Sequence, residues 1–320
     1  KVIFYTFSYD KLIFSNEDIN FDFKSYFSRS NILKFFTMLE IAYKIRRVDY
    51  IIIWNSPMHF VWVMSKIFFF SKAKLIWWNH HYPWYYSKHT NSYIKLKWFI
   101  EKLIVWKIDL ILSNSQYLKS IVDKIWTIDS KILHPVLDDK FLDYKNKIIK
   151  KENILFSYSR WTSGKNLDLV FKTYEELSKS IKDLTLIIWW VWKELDFFKL
   201  KYKNNKKIKF LWSLVKKQII ENLTKTKVLF PSKIDSFWIV KLESLSIWVP
   251  VVCFDNLYEE IIFNWQNWFC VNSEKEFIEK TEEILINDNL YNKLQKNILS
   301  NPIKFNKSHF EKQLKEIFCF

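Results

Sequence analysis

Short apolar runs alternate with longer amphipathic stretches along the whole chain, which is the signature of strand–helix–strand units and a mostly parallel sheet. In the first half the runs predict strands at Val2 to Phe7, Tyr50 to Ile53, Lys74 to Trp78, Asp109 to Leu112 and Ser130 to Leu133, with helices between them. The stretch HPVLDDKFLDYKNKIIKKEN is polar, contains Pro135, and ends where a new alternating series begins. It places a boundary near residue 150, between a first domain 1–150 and a second domain 151–320. The second series predicts strands at Ile154 to Ser157, Leu184 to Ile188, Ile208 to Leu211, Val228 to Phe230 and Val251 to Phe254, and helices beginning near Asn166, Lys193, Lys216, Ile239 and Lys275. A last amphipathic segment, SHFEKQLKEIF, follows a polar break after Pro302 and is suited to cross back over both domains. The predicted fold class is α/β: two Rossmann-like domains with mostly parallel sheets facing a central cleft, ligands lying at the carboxyl ends of the strands.

Composition changes this picture in three ways. First, 320 residues with 49% hydrophobic and 26% charged content are ordinary for two globular domains of roughly 150 residues each. No apolar run reaches the roughly 18 residues of a membrane span, and the start KVIFYTFSYDKLIF has no signal-peptide order, so a cytoplasmic location is expected. Cys253, Cys270 and Cys319 are widely spaced and form no CxxC pair, which favours apolar thiols over a disulfide framework or a zinc site. Second, the formal net charge of +16 calls for an anionic partner: nucleic acid, a phosphorylated substrate or acidic lipid headgroups. The basic residues are scattered and form no recognisable nucleic-acid module, so peripheral contact with an anionic membrane is preferred to a basic nucleic-acid-binding protein.

Third, there is a single glycine, Gly164, beside 17 tryptophans, where average usage puts roughly 7% glycine. An α/β chain needs positive φ at turns and helix ends, which Trp does not supply. Trp189, Trp190 and Trp192 follow LTLII, Trp212 follows KFL, Trp248 precedes Val249 and Pro250, and Trp265 and Trp268 flank a polar turn. These are glycine contexts. They predict a gene that reads UGA as glycine, translated here with UGA as tryptophan. Trp77, Trp78, Trp84 and Trp98 lie in aromatic or helical surroundings and are expected to be genuine; the rival is a Trp-rich protein with an aromatic binding surface.

Two segments carry candidate chemistry. After the strand ILFSYS come Arg160, Trp161, Gly164 and Lys165, a basic loop at a predicted helix N-terminus whose backbone N–H groups and cations suit a diphosphate. In PSKIDSFWIVKLESLSIWVPVV, Asp235 falls in a loop and Glu243 on the following helix, with Ser236, Phe237, Trp238 and Ile239 at its start. A carboxylate pair there accepts hydrogen bonds from sugar and ribose hydroxyls. Each segment taken alone is better explained by solvated surface charge and an acid on a helix dipole.

Read with glycine at the suspect positions, the second domain resembles the retaining glycosyltransferase family 4, of the two-Rossmann-domain GT-B fold. Its GR-x4-K loop, glycine-rich turn after a strand, E-x7-E motif and CG-x-PVV segment are matched in order by SRWTSGK, LIIWWVWKEL, KFLWSL, DSFWIVKLE, SIWVPVV and NWQNWF. The resemblance implies that Arg160 and Lys165 contact the donor diphosphate and that Glu243 binds the nucleotide ribose. It implies that Asp235, Ser236, Phe237, Trp238 and Ile239 hold the donor sugar and phosphates, with Trp161 and Trp212 on the same donor side. Asp235 stands where the family usually has Glu, and Trp161 and Trp238, if native, crowd the phosphate site. In WWNHHYPWYY, His81 matches a histidine that the family places near the donor sugar, and Ser113, Asn114 and Ser115 read mainly as a helix N-cap. The family's first strand and glycine-rich loop are not visible, so the chain is expected to begin at the second strand.

The activity so implied is sugar transfer of the hexosyltransferase type from a nucleoside diphosphate sugar to a glycan or lipid-linked acceptor, with retention and without a metal cofactor. Arg160, Lys165, Asp235 and His81 form the expected catalytic set. The nearest rivals are a nucleotide-sugar epimerase or phosphorylase of the same fold.

Overall fold

The structure, a computed structural model, describes residues 39–40, 42–43, 47, 49–53, 65–79, 102, 105–143, 151–159, 167–190, 194–211, 215–229, 239–254, 268–301 and 305–318. The strand expected at Val2 to Phe7 lies outside them. The chain divides into two units, one of residues 1–79, 83–112 and 125–130, the other of 80–82, 113–124 and 131–320.

The first sheet has the order β1-β2-β3-β4, formed by β1 (Tyr50–Ile53), β2 (Lys74–Asn79), β3 (Leu110–Ser113) and β4 (Lys131–Ile132). Strands β1 and β2 are parallel, with Tyr50 opposite Lys74. Helix α1 (Gln116–Trp126) follows β3, and the Ser115 hydroxyl accepts the Leu118 N–H at 3.1 Å, the N-cap that the sequence predicted. Trp77 is buried and packs on Trp126 with ring centroids 4.8 Å apart.

The second sheet is larger and parallel throughout: β5 (Glu152–Ser159), β6 (Thr185–Trp190), β7 (Ile208–Leu211), β8 (Thr226–Leu229), β9 (Val251–Phe254) and β10 (Trp268–Val271), in the order β10-β9-β8-β5-β6-β7. Both faces are covered, so its strands read as near-continuous apolar runs. Alternation then sorts side chains between two cores. Leu155, Leu186 and Ile188 join one cluster with α3 (Leu167–Ser180), α4 (Glu194–Lys201), α7 (Glu274–Ile286) and α8 (Asp288–Ser300). Ile154, Phe156, Tyr158 and Ile187 join the other with α2 (Asp139–Leu142), α5 (Lys216–Lys225) and α6 (Ile239–Ser246). In the first cluster Phe171 stacks on Phe198 at 4.1 Å and on Tyr202 at 4.9 Å, fixing α3 against α4. Cys253 and Cys270, separated by 17 residues in sequence, oppose each other on β9 and β10 with sulfurs 3.8 Å apart and are not joined in a disulfide.

Helix α6 ends in a pattern of hydrogen bonds that demands left-handed backbone. The Val249 N–H donates to the Ser244 carbonyl at 3.0 Å and the Trp248 N–H to the Leu245 carbonyl at 3.0 Å, the two bonds of a Schellman cap. Trp248 holds the capping position at φ 60°, where glycine is usual and a Cβ costs about 1–2 kcal/mol.

The C-terminal helix α9 (Lys307–Phe318) docks on the segment that follows β4, within the second unit. The Gln313 side chain accepts the His134 N–H at 3.2 Å and its amide meets His134 Nδ1 at 2.9 Å, while the Leu137 N–H donates to the Phe305 carbonyl at 2.9 Å.

At the entry to β5 the half-buried Lys151 donates to the Leu223 carbonyl at 3.1 Å, and removal from water pulls its amine down to about 7. The folded chain therefore binds fewer protons than the unfolded chain between about pH 7 and the ordinary value of 10.5, so stability rises with pH across that window. Lys151→Met is expected to remove the rise and to raise stability at neutral pH by about 1–2 kcal/mol, a figure discounted for the exposed part of the side chain. Urea melts of both proteins at neutral and alkaline pH check this; a parallel pH dependence in the two would show that Lys151 is not its source.

Candidate functional site at the carboxyl edge of the second sheet

The chain runs from β5 outward through β6 to β7, then returns to the other side of β5 as β8 and continues outward through β9 to β10. The direction of winding reverses between β5 and β8. In open parallel sheets such a reversal leaves a crevice at the carboxyl ends of the two strands, because their following connections diverge to opposite faces. Strand β5 feeds residues 160–166 and strand β8 feeds residues 230–238, so the basic and the acidic candidate segments depart from the two strands that flank the reversal. Arg160, Trp161, Lys165, Asp235, Ser236, Phe237 and Trp238 themselves, with His81 and Trp212, lie outside the described residues.

Helix α6 carries the described part of the site. Ile239 opens it with a side chain 41% exposed, and Glu243 lies one turn further on the same face. The first amides of α6 have no partner within the helix, which suits that end to an anion. Glu243 is half-buried, and its Oε2 accepts a hydrogen bond of 2.7 Å from the Tyr158 hydroxyl. Tyr158 stands near the carboxyl end of β5, 3% exposed, stacked on Phe156 at 4.9 Å. Burial, and after it the Glu243 carboxylate, push the Tyr158 hydroxyl well above its ordinary range. It therefore stays protonated and remains a donor at working pH. The bond ties β5 to α6 and holds the carboxylate in one orientation beside the reversal.

Sequence reasoning singled out Glu243 and passed over its partner Tyr158. A signal was present: in ENILFSYS the alternation puts Tyr158 on the face of Ile154 and Phe156, and a tyrosine buried there needs a partner for its hydroxyl. Lys241 is also fully buried on α6, two positions before Glu243, and was not singled out.

A doubly wound parallel sheet, together with a second parallel-stranded sheet in the same chain, is the α/β arrangement of the GT-B fold. The chain belongs to the glycosyl transferases group 1, whose family model matches residues 138–300, slightly more than half of the chain. Solved structures agree on the fold. The Anabaena protein HepE, solved with UDP and glucose, matches with a TM-score of 0.74 at 13% identity over 94% of this chain and 86% of its own. A glycosyltransferase from Rickettsia africae matches with a TM-score of 0.67 at 16% identity over 94% and 84%. The lipopolysaccharide outer core galactosyltransferase WaaB matches with a TM-score of 0.65 at 12% identity over 95% and 85%. No curated protein sequence matches the chain.

Proposed function

We propose that the chain transfers a hexose from a nucleoside diphosphate sugar to an acceptor hydroxyl, with retention, in the synthesis of a cell-surface or lipid-linked glycan. The observation that carries the reading is the Tyr158–Glu243 bond: it fixes a carboxylate where ribose hydroxyls of a bound nucleotide would lie. The UDP and glucose held by HepE support a uridine nucleotide as donor, and the role named for WaaB supports a glycan acceptor. Arg160 and Lys165 neutralise the charge that grows on the departing diphosphate, aided by helix N-termini, so the reaction proceeds without a metal. Asp235 and His81 complete the catalytic set beside the donor sugar. Work on a lipid-linked acceptor places the protein at the cytoplasmic face of a membrane; among the described residues no helix is long and apolar enough to cross one.

Two measurements test the reading. Nucleotide sugars are screened for a rise in melting temperature, and the responding donor is incubated with and without glycan acceptors. Release of nucleoside diphosphate only with an acceptor is expected. Isomerisation of the donor, or consumption of inorganic phosphate, would establish an epimerase or a phosphorylase instead.

The native residue at 248 is, on the same reading, glycine, and glycine likewise replaces Trp161 and Trp238 around the donor phosphates. The support is the φ of 60° at a Schellman capping position. Trp248→Gly is expected to be more stable than Trp248→Ala by about 1 kcal/mol, because both lose the indole and only alanine keeps a Cβ in left-handed backbone. Equal denaturation midpoints would remove the conformational support. Peptide mass spectrometry of the native protein decides the residue.

A further inference from the structure

In the first unit the stretch Lys66–Lys74 reads KIFFFSKAK, and its apolar side chains point the wrong way for a soluble core. Residues 65–69 are helical; Phe69 turns inward to meet Tyr43 with ring centroids 5.4 Å apart. Ile67, Phe68 and Phe70 turn outward, 61%, 57% and 84% exposed. Phe70 adopts φ 52°, left-handed backbone that a large side chain disfavours, and the turn around it is anchored. Ser71 and Ala73 are buried, the Ser71 N–H donates to the Ser65 carbonyl at 3.2 Å, and the Ser71 hydroxyl accepts the Ala73 N–H at 3.2 Å. A firmly held turn thus presents phenylalanine to solvent.

Cations surround this apolar tip. The Lys74 N–H donates to the Asp49 carbonyl at 2.8 Å, and the Asp109 N–H donates to the Leu75 carbonyl at 2.9 Å, so the turns before β1, β2 and β3 meet at one edge of the sheet. Arg47, Lys72, Lys74 and Lys107 are exposed on these turns, with Lys74 over the Tyr50 ring at 6.0 Å. Among the described residues the acids of the edge are Asp49 and Asp109, and the Asp109 carboxylate is engaged by the Leu75 N–H at 2.7 Å. Counted over the described residues, the edge is net positive around three side chains without a hydrogen-bonding group. That combination matches an anionic bilayer, apolar groups entering the acyl boundary while lysine and arginine reach headgroup phosphates.

We propose that this edge, with Ile67, Phe68 and Phe70 at its tip and Arg47, Lys72, Lys74 and Lys107 around it, is the surface by which the protein docks on anionic membranes. The proposal rests on the membrane-facing reading above and gives it a location. The test is co-sedimentation of the full chain with vesicles of phosphatidylcholine alone or mixed with phosphatidylglycerol, at low and high salt. Wild type is expected to bind the mixed vesicles and to release in high salt. The Phe68→Ser/Phe70→Ser variant should fall to the phosphatidylcholine background, and Lys72→Glu/Lys107→Glu should lose on the order of tenfold or more in partitioning. Both should keep the wild-type melting shift with uridine diphosphate, which reports on the second unit. Wild type that ignores anionic vesicles overturns the membrane reading together with the surface. Variants that bind as wild type does overturn the surface alone. Sizing in which the phenylalanine variant dissolves a dimer, with lipid binding intact, assigns the tip to self-association and also overturns the proposal.

Discussion

Replacing Arg160 and Lys165 together by alanine is expected to lower sugar transfer by on the order of 10⁴-fold while the protein melts as wild type does. The size follows from the role: a group that stabilises charge only as the diphosphate departs contributes on the order of 10²–10³-fold each in a water-excluded site. Such residues act on the bond-breaking step, so the loss belongs in kcat, with KM for the donor changing less. Either single variant should retain part of the activity, since the other cation and the helix amides remain. Turnover of the double variant within a few fold of wild type would remove both residues from the catalytic set, and a loss confined to KM would reassign them to donor binding.

Glu243→Ala is expected to cost on the order of 10²-fold in kcat/KM, mainly through weaker donor binding. The carboxylate is held by the Tyr158 hydroxyl at 2.7 Å; on the proposed function it would meet a ribose already oriented, and its removal would leave both the ribose and Tyr158 short of an acceptor. Tyr158→Phe separates orientation from contact. It keeps the ring in its place on Phe156 and deletes one hydrogen bond to a charged group, and should cost roughly tenfold or somewhat more. If Tyr158→Phe is silent while Glu243→Ala is damaging, the carboxylate positions itself by other means. If both are silent, the nucleotide lies elsewhere on the sheet edge.

Much of the second unit was legible in the sequence because its strands are buried on both faces and carry strong apolar runs. The expected strands Ile208 to Leu211 and Val251 to Phe254 have the observed bounds, as does Tyr50 to Ile53 in the first unit, and helices start within a residue of the expected positions at Leu167, Glu194, Lys216, Ile239 and Glu274. Strand β10 was not legible. Its four residues WFCV follow the sequence NWQN and become a strand by pairing with β9 at the sheet margin, a contact that local propensity does not encode. Helix α8 was likewise passed over, although Asn287 caps it through the Leu290 N–H at 3.0 Å and that residue type is a fair start signal.

The sequence by itself determined the α/β class and the order of the motifs, and it put Glu243 forward as a candidate, because periodicity and residue order are local properties of the chain. It also exposed the glycine deficit, and Trp248 at φ 60° turned that compositional oddity into a conformational one at a particular helix end. Three things were decided only by tertiary structure. Strand order put the reversal between β5 and β8, so that segments 70 residues apart leave neighbouring strands. The fold brought Tyr158 to Glu243 across 85 residues, and Cys253 to Cys270 across 17. The common reason is that a parallel sheet joins strands through long crossovers: which strands become neighbours is settled by how the whole chain winds, and no stretch of sequence shorter than the domain contains that information.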